Sequence, residues 1–123
     1  MEVPGSPPSW NASYRIITLR GHGSLKKMGA AERYQSDVTR LVQVKRPTDF
    51  QPEGQLYICY QMFLWRSMDA DNILKLVNDG IAMGLGLNDS RFLPVVLSKS
   101  TGHKEPRLVI SILDANVHKI EVT

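Results

Sequence analysis

The stretch Leu56-Tyr57-Ile58-Cys59-Tyr60-Gln61-Met62-Phe63-Leu64-Trp65 is apolar or aromatic at every position except Gln61. It has neither the alternation of a half-buried strand nor the spacing of an amphipathic helix. It is also well short of the ~18–20 apolar residues that a membrane-crossing helix needs. A short continuous apolar run of this kind reads as a strand buried on both faces, and such a strand is central in its sheet. The rest of the chain must then supply flanking strands and a covering layer.

The flanking pattern does so. Residues 1–11 combine Pro4, Pro7 and Pro8 with Gly and Ser and read as a mobile arm, leaving 12–123 as a single domain. Tyr14–Leu19 is rich in β-branched and aromatic residues, the mark of a first strand. Arg20 to Lys27 is a glycine-punctuated basic loop. Ala30 to Val44 places Tyr34, Val38, Leu41 and Val42 on one helical face, and Pro47 ends that helix. A second helix runs from about Asn72 to Met83 with Leu74, Val77 and Ile81 inward, and Gly84 and Gly86 stop it. After a turn at Asn88-Asp89-Ser90 comes a strand, Phe92 to Ser98, in which Pro94 argues for an edge or a strand start. Thr101 to Pro106 reads as a hairpin-like connection to a strand at Leu108–Leu113, and a further short strand at His118–Val122 stays open. The order β-α-β-α-β-β predicts an α+β single domain: a mixed sheet with two helices packed on it.

Composition narrows the setting. With 42% hydrophobic and 22% charged residues the chain is ordinary globular material. Its N-terminus lacks the basic and apolar regions of a signal peptide. The lone Cys59 cannot form an internal disulfide, so a reducing cytoplasm is the expected compartment. Residues 1–50 hold eight Lys/Arg against four Asp/Glu, whereas 51–123 hold seven against eight. A basic half beside an acidic pocket suits a polyanion held next to bound cations, although solvated surface charge accounts for the same numbers.

The stretch with chemistry in it is Asp69-x-Asp71-Asn72-x-x-Lys75-x-x-x-Asp79, followed by Asn88-Asp89. Two carboxylates at alternate positions of an extended linker can share one cleft, and Asp89 can return to the same end of the sheet. Three acidic oxygen ligands plus water suit Mg²⁺. Lys75, one turn after Asp71, can meet a phosphate and stabilise charge during phosphoryl transfer. A purely structural account also exists. Asp69 or Asp71 is a good helix N-cap, Asn88-Asp89 is turn chemistry, and Asp71 with Lys75 is an ordinary i,i+4 pair. An EF-hand is excluded, because Ile73 and Leu74 occupy positions for a ligand and the obligatory glycine. No C-x-x-C, H-E-x-x-H, P-loop or G-x-S-x-G occurs. Cys59 reads as core, Tyr60 and Trp65 as core or interface residues, and His22, His103 and His118 are too scattered for a metal site.

These residues resemble the RusA family of crossover-junction (Holliday junction) endodeoxyribonucleases. The likeness lies in Asp69-Ala70-Asp71-Asn72-Ile73-Leu74-Lys75, Asp79, Gly84 and Asn88-Asp89, and then in Lys99 and the Glu105–Ile110 run. Asn88 stands where the family has the first acid of an Asp-Asp pair. The resemblance implies a homodimeric nuclease, bacterial or phage-encoded, that resolves four-way DNA junctions. It implies that Asp69, Asp71 and Asp89 bind Mg²⁺ and that Lys75 is essential, with Asp79 supporting the helix. Arg15, Arg20, Lys26 and Lys27 are the candidate DNA contacts. A branched-DNA nuclease of other specificity, and a non-catalytic DNA-binding protein of the same fold, are the alternatives.

Overall fold

A computed structural model of the chain describes residues 1–8 and 29–118, together with the backbone of 14–19 and 22–27. The chain runs β1 (Glu2–Pro4), β2 (Tyr14–Leu19), β3 (His22–Lys27), α1 (Gly29–Lys45), β4 (Leu56–Phe63), α2 (Ala70–Leu85), a 3-10 turn (Asp89–Arg91), β5 (Phe92–Ser100) and β6 (Arg107–Asp114). The main sheet has the order β1-β6-β4-β5. β4 is parallel to β5 and antiparallel to β6, so the sheet is mixed. No helix among the described residues is long and apolar enough to cross a membrane.

The apolar run places β4 inside the sheet, as expected, but burial differs between its faces. Leu56, Ile58, Tyr60 and Met62 alternate along one face and are completely buried. They share a core with Tyr34, Val38 and Val42 of α1 and with Ile73, Leu76, Val77 and Ile81 of α2. On the other face Cys59 is buried, Tyr57 and Phe63 are half-buried and Gln61 is exposed. Both helices therefore serve one face. Trp65, expected in the core or at an interface, lies beyond the end of β4 and is 49% exposed, so it is not part of this chain's core.

Three other expectations about the strands are corrected. Glu2–Pro4, placed in the arm, pairs with β6 as an edge strand and buries Val3. The basic segment read as a loop supplies β3, which pairs with β2 from Tyr14↔Lys27 to Leu19↔His22; backbone pairing, not side-chain propensity, makes it a strand. The connection after β5 is no hairpin, because β4 lies between β5 and β6 and the 101–106 segment crosses its end. Pro94 does sit on an edge strand, the place in a sheet where a residue without an N–H is tolerated. The possible strand at 118–122 falls mostly outside the described residues.

Gly84 does not stop α2; it lies inside it, and the left-handed Gly86 (φ 68°) caps the C-terminus. A Cβ on Gly84 would sit 2.8 Å from Val42 Cβ and 2.9 Å from the Thr39 carbonyl oxygen. The helices are this close because the residue is glycine, and side chains stitch them further. Gln35 Nε2 donates to Leu76 O (2.9 Å), Thr39 Oγ1 to Gly80 O (2.8 Å) and Arg46 Nη1 to Leu85 O (2.8 Å). Gly84→Ala is expected to lower stability by about 1–3 kcal/mol through overpacking. A urea midpoint equal to that of the parent chain would contradict this contact.

Candidate active site

The strand-to-helix junction after β4 sets the site. α2 begins at Ala70, so Asp69 and Asp71 do not share an extended linker. Asp69 is the N-cap in extended conformation, and its Oδ1 accepts from Asp71 N at 3.0 Å. Asp71 lies in the first turn, where its negative charge opposes the positive end of the helix. Both are exposed.

From Asp71 one face of α2 runs through Leu74, Lys75, Asn78 and Asp79. These residues line an open cavity of about 480 Å³, closed on the other side by Asp89 and by Pro94 of β5. Asp79 and Asp89 also line an adjoining cavity of about 430 Å³ with Gln35, Ala82, Met83 and Asn88. Asp71, Lys75 and Asp89 thus belong to one groove between α2 and the edge of the sheet. Asp69 is not part of its lining and stands at the entrance as the cap.

The three aspartates do not converge. β5 starts beside the start of β4, with Phe92 opposite Leu56, so Asp89 arrives at the end of the sheet opposite to Asp69 and Asp71. At 1.5 Å per residue, Asp71 and Asp79 are separated by about 12 Å along α2. Among the described residues no three His, Cys, Asp or Glu side chains form a ready-made metal cluster. The donor chemistry still fits magnesium. Carboxylate oxygens facing an open, solvent-accessible groove suit an ion that keeps several waters and takes only one or two carboxylates, whereas a cage made wholly of protein is not what this groove provides.

Two neighbours hold the groove in shape. Asn88 Oδ1 accepts from Ser90 N (2.9 Å), making the turn that presents Asp89. Arg91 Nε and Nη2 both donate to Gly54 O (3.0 and 2.8 Å), with Pro52 O a further acceptor, which pins that turn to the loop before β4. Beneath the groove the buried Tyr60 hydroxyl bonds Asn78 Oδ1. Burial pushes the Tyr60 phenol far above its ordinary range, so it is a fixed neutral donor. It likewise pushes the Cys59 thiol up, which fits a core residue rather than a nucleophile. Asn78 and Arg91 are not among the residues of the acidic motif that the sequence displays. Asn78 was within reach, since it lies seven residues after Asp71 and three after Lys75, on the same helical face. Arg91 had no local signal, because its partners are 37 and 39 residues away.

Of the candidate DNA contacts, Arg15 and Lys26 are cross-strand partners in the β2–β3 ladder, where Lys27 pairs with Tyr14. Arg20 lies outside the described residues.

A protein-family model described as Endodeoxyribonuclease RusA matches residues 4–113. No curated protein matches the chain significantly.

Proposed function

The chain belongs to the RusA endodeoxyribonuclease family, and on that premise we propose that it is a Mg²⁺-dependent endonuclease that resolves four-way DNA junctions by paired nicks, as a homodimer, in recombination and repair. The observation that carries this reading is the groove itself. Carboxylates at Asp71, Asp79 and Asp89 flank one lysine, Lys75, in an open cavity beside an edge strand. A bacterial or phage source and a cytoplasmic setting accord with it.

In this reading Asp69 and Asp71, at the start of α2, would hold the cation through their carboxylates. Asp89 closes the far end of the groove, and Asn88 and Arg91 hold it there. When bound there, Mg²⁺ would supply Lewis-acid stabilisation of the phosphodiester and activation of the attacking water. Lys75 lies between the acidic ends and offers its ammonium to the phosphate oxygens as charge builds on them. Two copies of the groove related by a two-fold axis supply the two nicks that a junction requires. Arg15, Arg20, Lys26 and Lys27 contact the arms.

A panel of four-way, three-way and linear DNA, each with Mg²⁺ and with chelator, tests the assignment. Preferential, Mg²⁺-dependent nicking of the four-way substrate is expected. Equal nicking of flaps or three-way DNA would reassign the specificity, and binding without nicking would make the chain a non-catalytic member. Assembly has its own check. The sheet face turned away from the helices carries half-buried Tyr57, Leu93, Val95, Val109 and Leu113, and Leu97 on the same edge is 58% exposed. Light scattering is expected to report a dimer, and a monomer at micromolar concentration would count against paired nicking by one assembly.

A further inference from the structure

A strand bulge decides which way Lys99 faces. β4 and β5 pair residue for residue from Leu56↔Phe92 to Tyr60↔Val96; the register then shifts, so that Gln61 meets Ser98 and Met62 meets Lys99. Leu97 is the extra residue. Neighbours in register lie on the same face of a sheet. Lys99 therefore shares the face of Pro94, Val96 and the buried Met62, which is the face toward α2 and the groove. Without the bulge, Ser98 would take that place and Lys99 would point to the opposite face. Bulges that re-aim one side chain are frequent beside active sites.

Two more cations stand at the same end of the sheet, where β4 and β5 finish and α2 begins. Leu64 N donates to Ser100 O (2.8 Å), His103 N to Leu64 O (3.0 Å) and Gly102 N to Trp65 O (3.1 Å). These bonds strap the loop after β5 onto the end of β4, which holds Arg66 and Lys104 at the same end of the sheet as Lys99. His103 is held as well, by Ser100 Oγ at 2.7 Å and by an edge contact with Phe63. Arg107 is committed elsewhere, to the Phe63 ring and to Glu2 at 3.2 Å. Arg66, Lys99 and Lys104 are exposed and form no ion pair among the described residues. The acids in these segments are Asp69, whose Oδ1 caps α2, and the exposed Glu105.

We propose that Lys99, Arg66 and Lys104 form a phosphate-binding surface that guides a DNA strand into the carboxylate groove from the α2 N-terminal side. The surface rests on the DNA-nuclease reading above and adds a contact region outside the β2–β3 basic segment. A groove walled by aspartates repels a phosphodiester, and fixed cations at its mouth offset that repulsion where the strand must enter. The residues reach phosphates, not base edges, so they contribute affinity without sequence preference.

The test is the salt dependence of DNA binding, measured by anisotropy without divalent metal on a four-way junction and on a linear duplex. Each lost phosphate contact lowers the slope of log K against log salt by about 0.9. Lys99→Ala with Lys104→Ala should lower it by about two units on both DNAs, and Arg66→Ala by about one more. Lys99→Gln with Lys104→Gln, which keeps the aliphatic stems, should give the same shift with an unchanged melting temperature. Slopes equal to a steep parent slope would overturn the surface while leaving the junction assignment in place. A lowered slope on both DNAs, with no preference for the junction, would uphold the surface and remove the junction assignment. A parent chain that binds neither DNA would overturn both.

Discussion

Asp71→Asn is expected to reduce Mg²⁺-supported nicking of a four-way junction by roughly 100-fold or more, the scale on which removal of one electrostatic group from a transition-state site is felt. Asp71 sits in the first turn of α2 and lines the groove, and its backbone N–H, not its side chain, completes the Asp69 cap. Asparagine keeps the volume and leaves that bond untouched. Only the favourable interaction of a carboxylate with the helix N-terminus is lost, about 0.3–1 kcal/mol. Fold and activity therefore separate: melting stays within a few degrees while cleavage collapses, and metal-free junction binding holds or tightens as a negative charge leaves the groove. Rapid nicking by the variant would remove Asp71 from the chemistry. Asp69→Asn makes a sharper comparison. Asparagine caps a helix as well as aspartate does, so stability should fall by no more than the same charge–helix interaction, about 0.3–1 kcal/mol. Loss of activity would assign a ligand role to the Asp69 carboxylate, and retained activity would leave it a cap alone.

The second large effect is expected at Lys75. Lys75→Ala should lower the single-turnover cleavage rate by about 100-fold, with a much smaller change in junction affinity, because a charge that acts on the transition state affects rate more than ground-state binding. Lys75 is exposed, one turn after Asp71 and one turn before Asp79, so the substitution makes no core cavity. Equal losses of affinity and rate would recast Lys75 as an ordinary phosphate contact like those proposed at the groove mouth.

Local pattern explains which parts of this molecule could be read in advance. The Leu56–Trp65 run announces an interior strand because it is short, aromatic-rich and continuously apolar, and the periodicity of Tyr34, Val38 and Val42 announces α1. The parts that were missed depend on partners far away in sequence. Val3, among prolines, looks like an arm until β6 pairs with it. His22–Lys27 has little strand propensity and becomes a strand through its ladder with β2. The 101–106 segment resembles a hairpin, but the apolar β4 takes the place between β5 and β6. The site divides in the same way. Asp71, Lys75 and Asn78 follow from helical spacing alone. The position of Asp89 at the opposite end of the sheet follows from the parallel pairing of β4 with β5, and the direction of Lys99 follows from a single bulged residue. Neither leaves a mark in the local sequence.

If the groove along α2 cleaves branched DNA with Mg²⁺, cleavage must depend on both the cation and Asp71. A labelled four-way junction is incubated with the parent chain and with Asp71→Asn across a Mg²⁺ titration, and nicked strands are counted on a denaturing gel. Paired nicks should rise with Mg²⁺ for the parent chain, vanish in chelator, and stay at background for the variant at every concentration. A junction that the parent chain binds but leaves intact at all Mg²⁺ concentrations, or nicks equally well in the variant, would contradict the account.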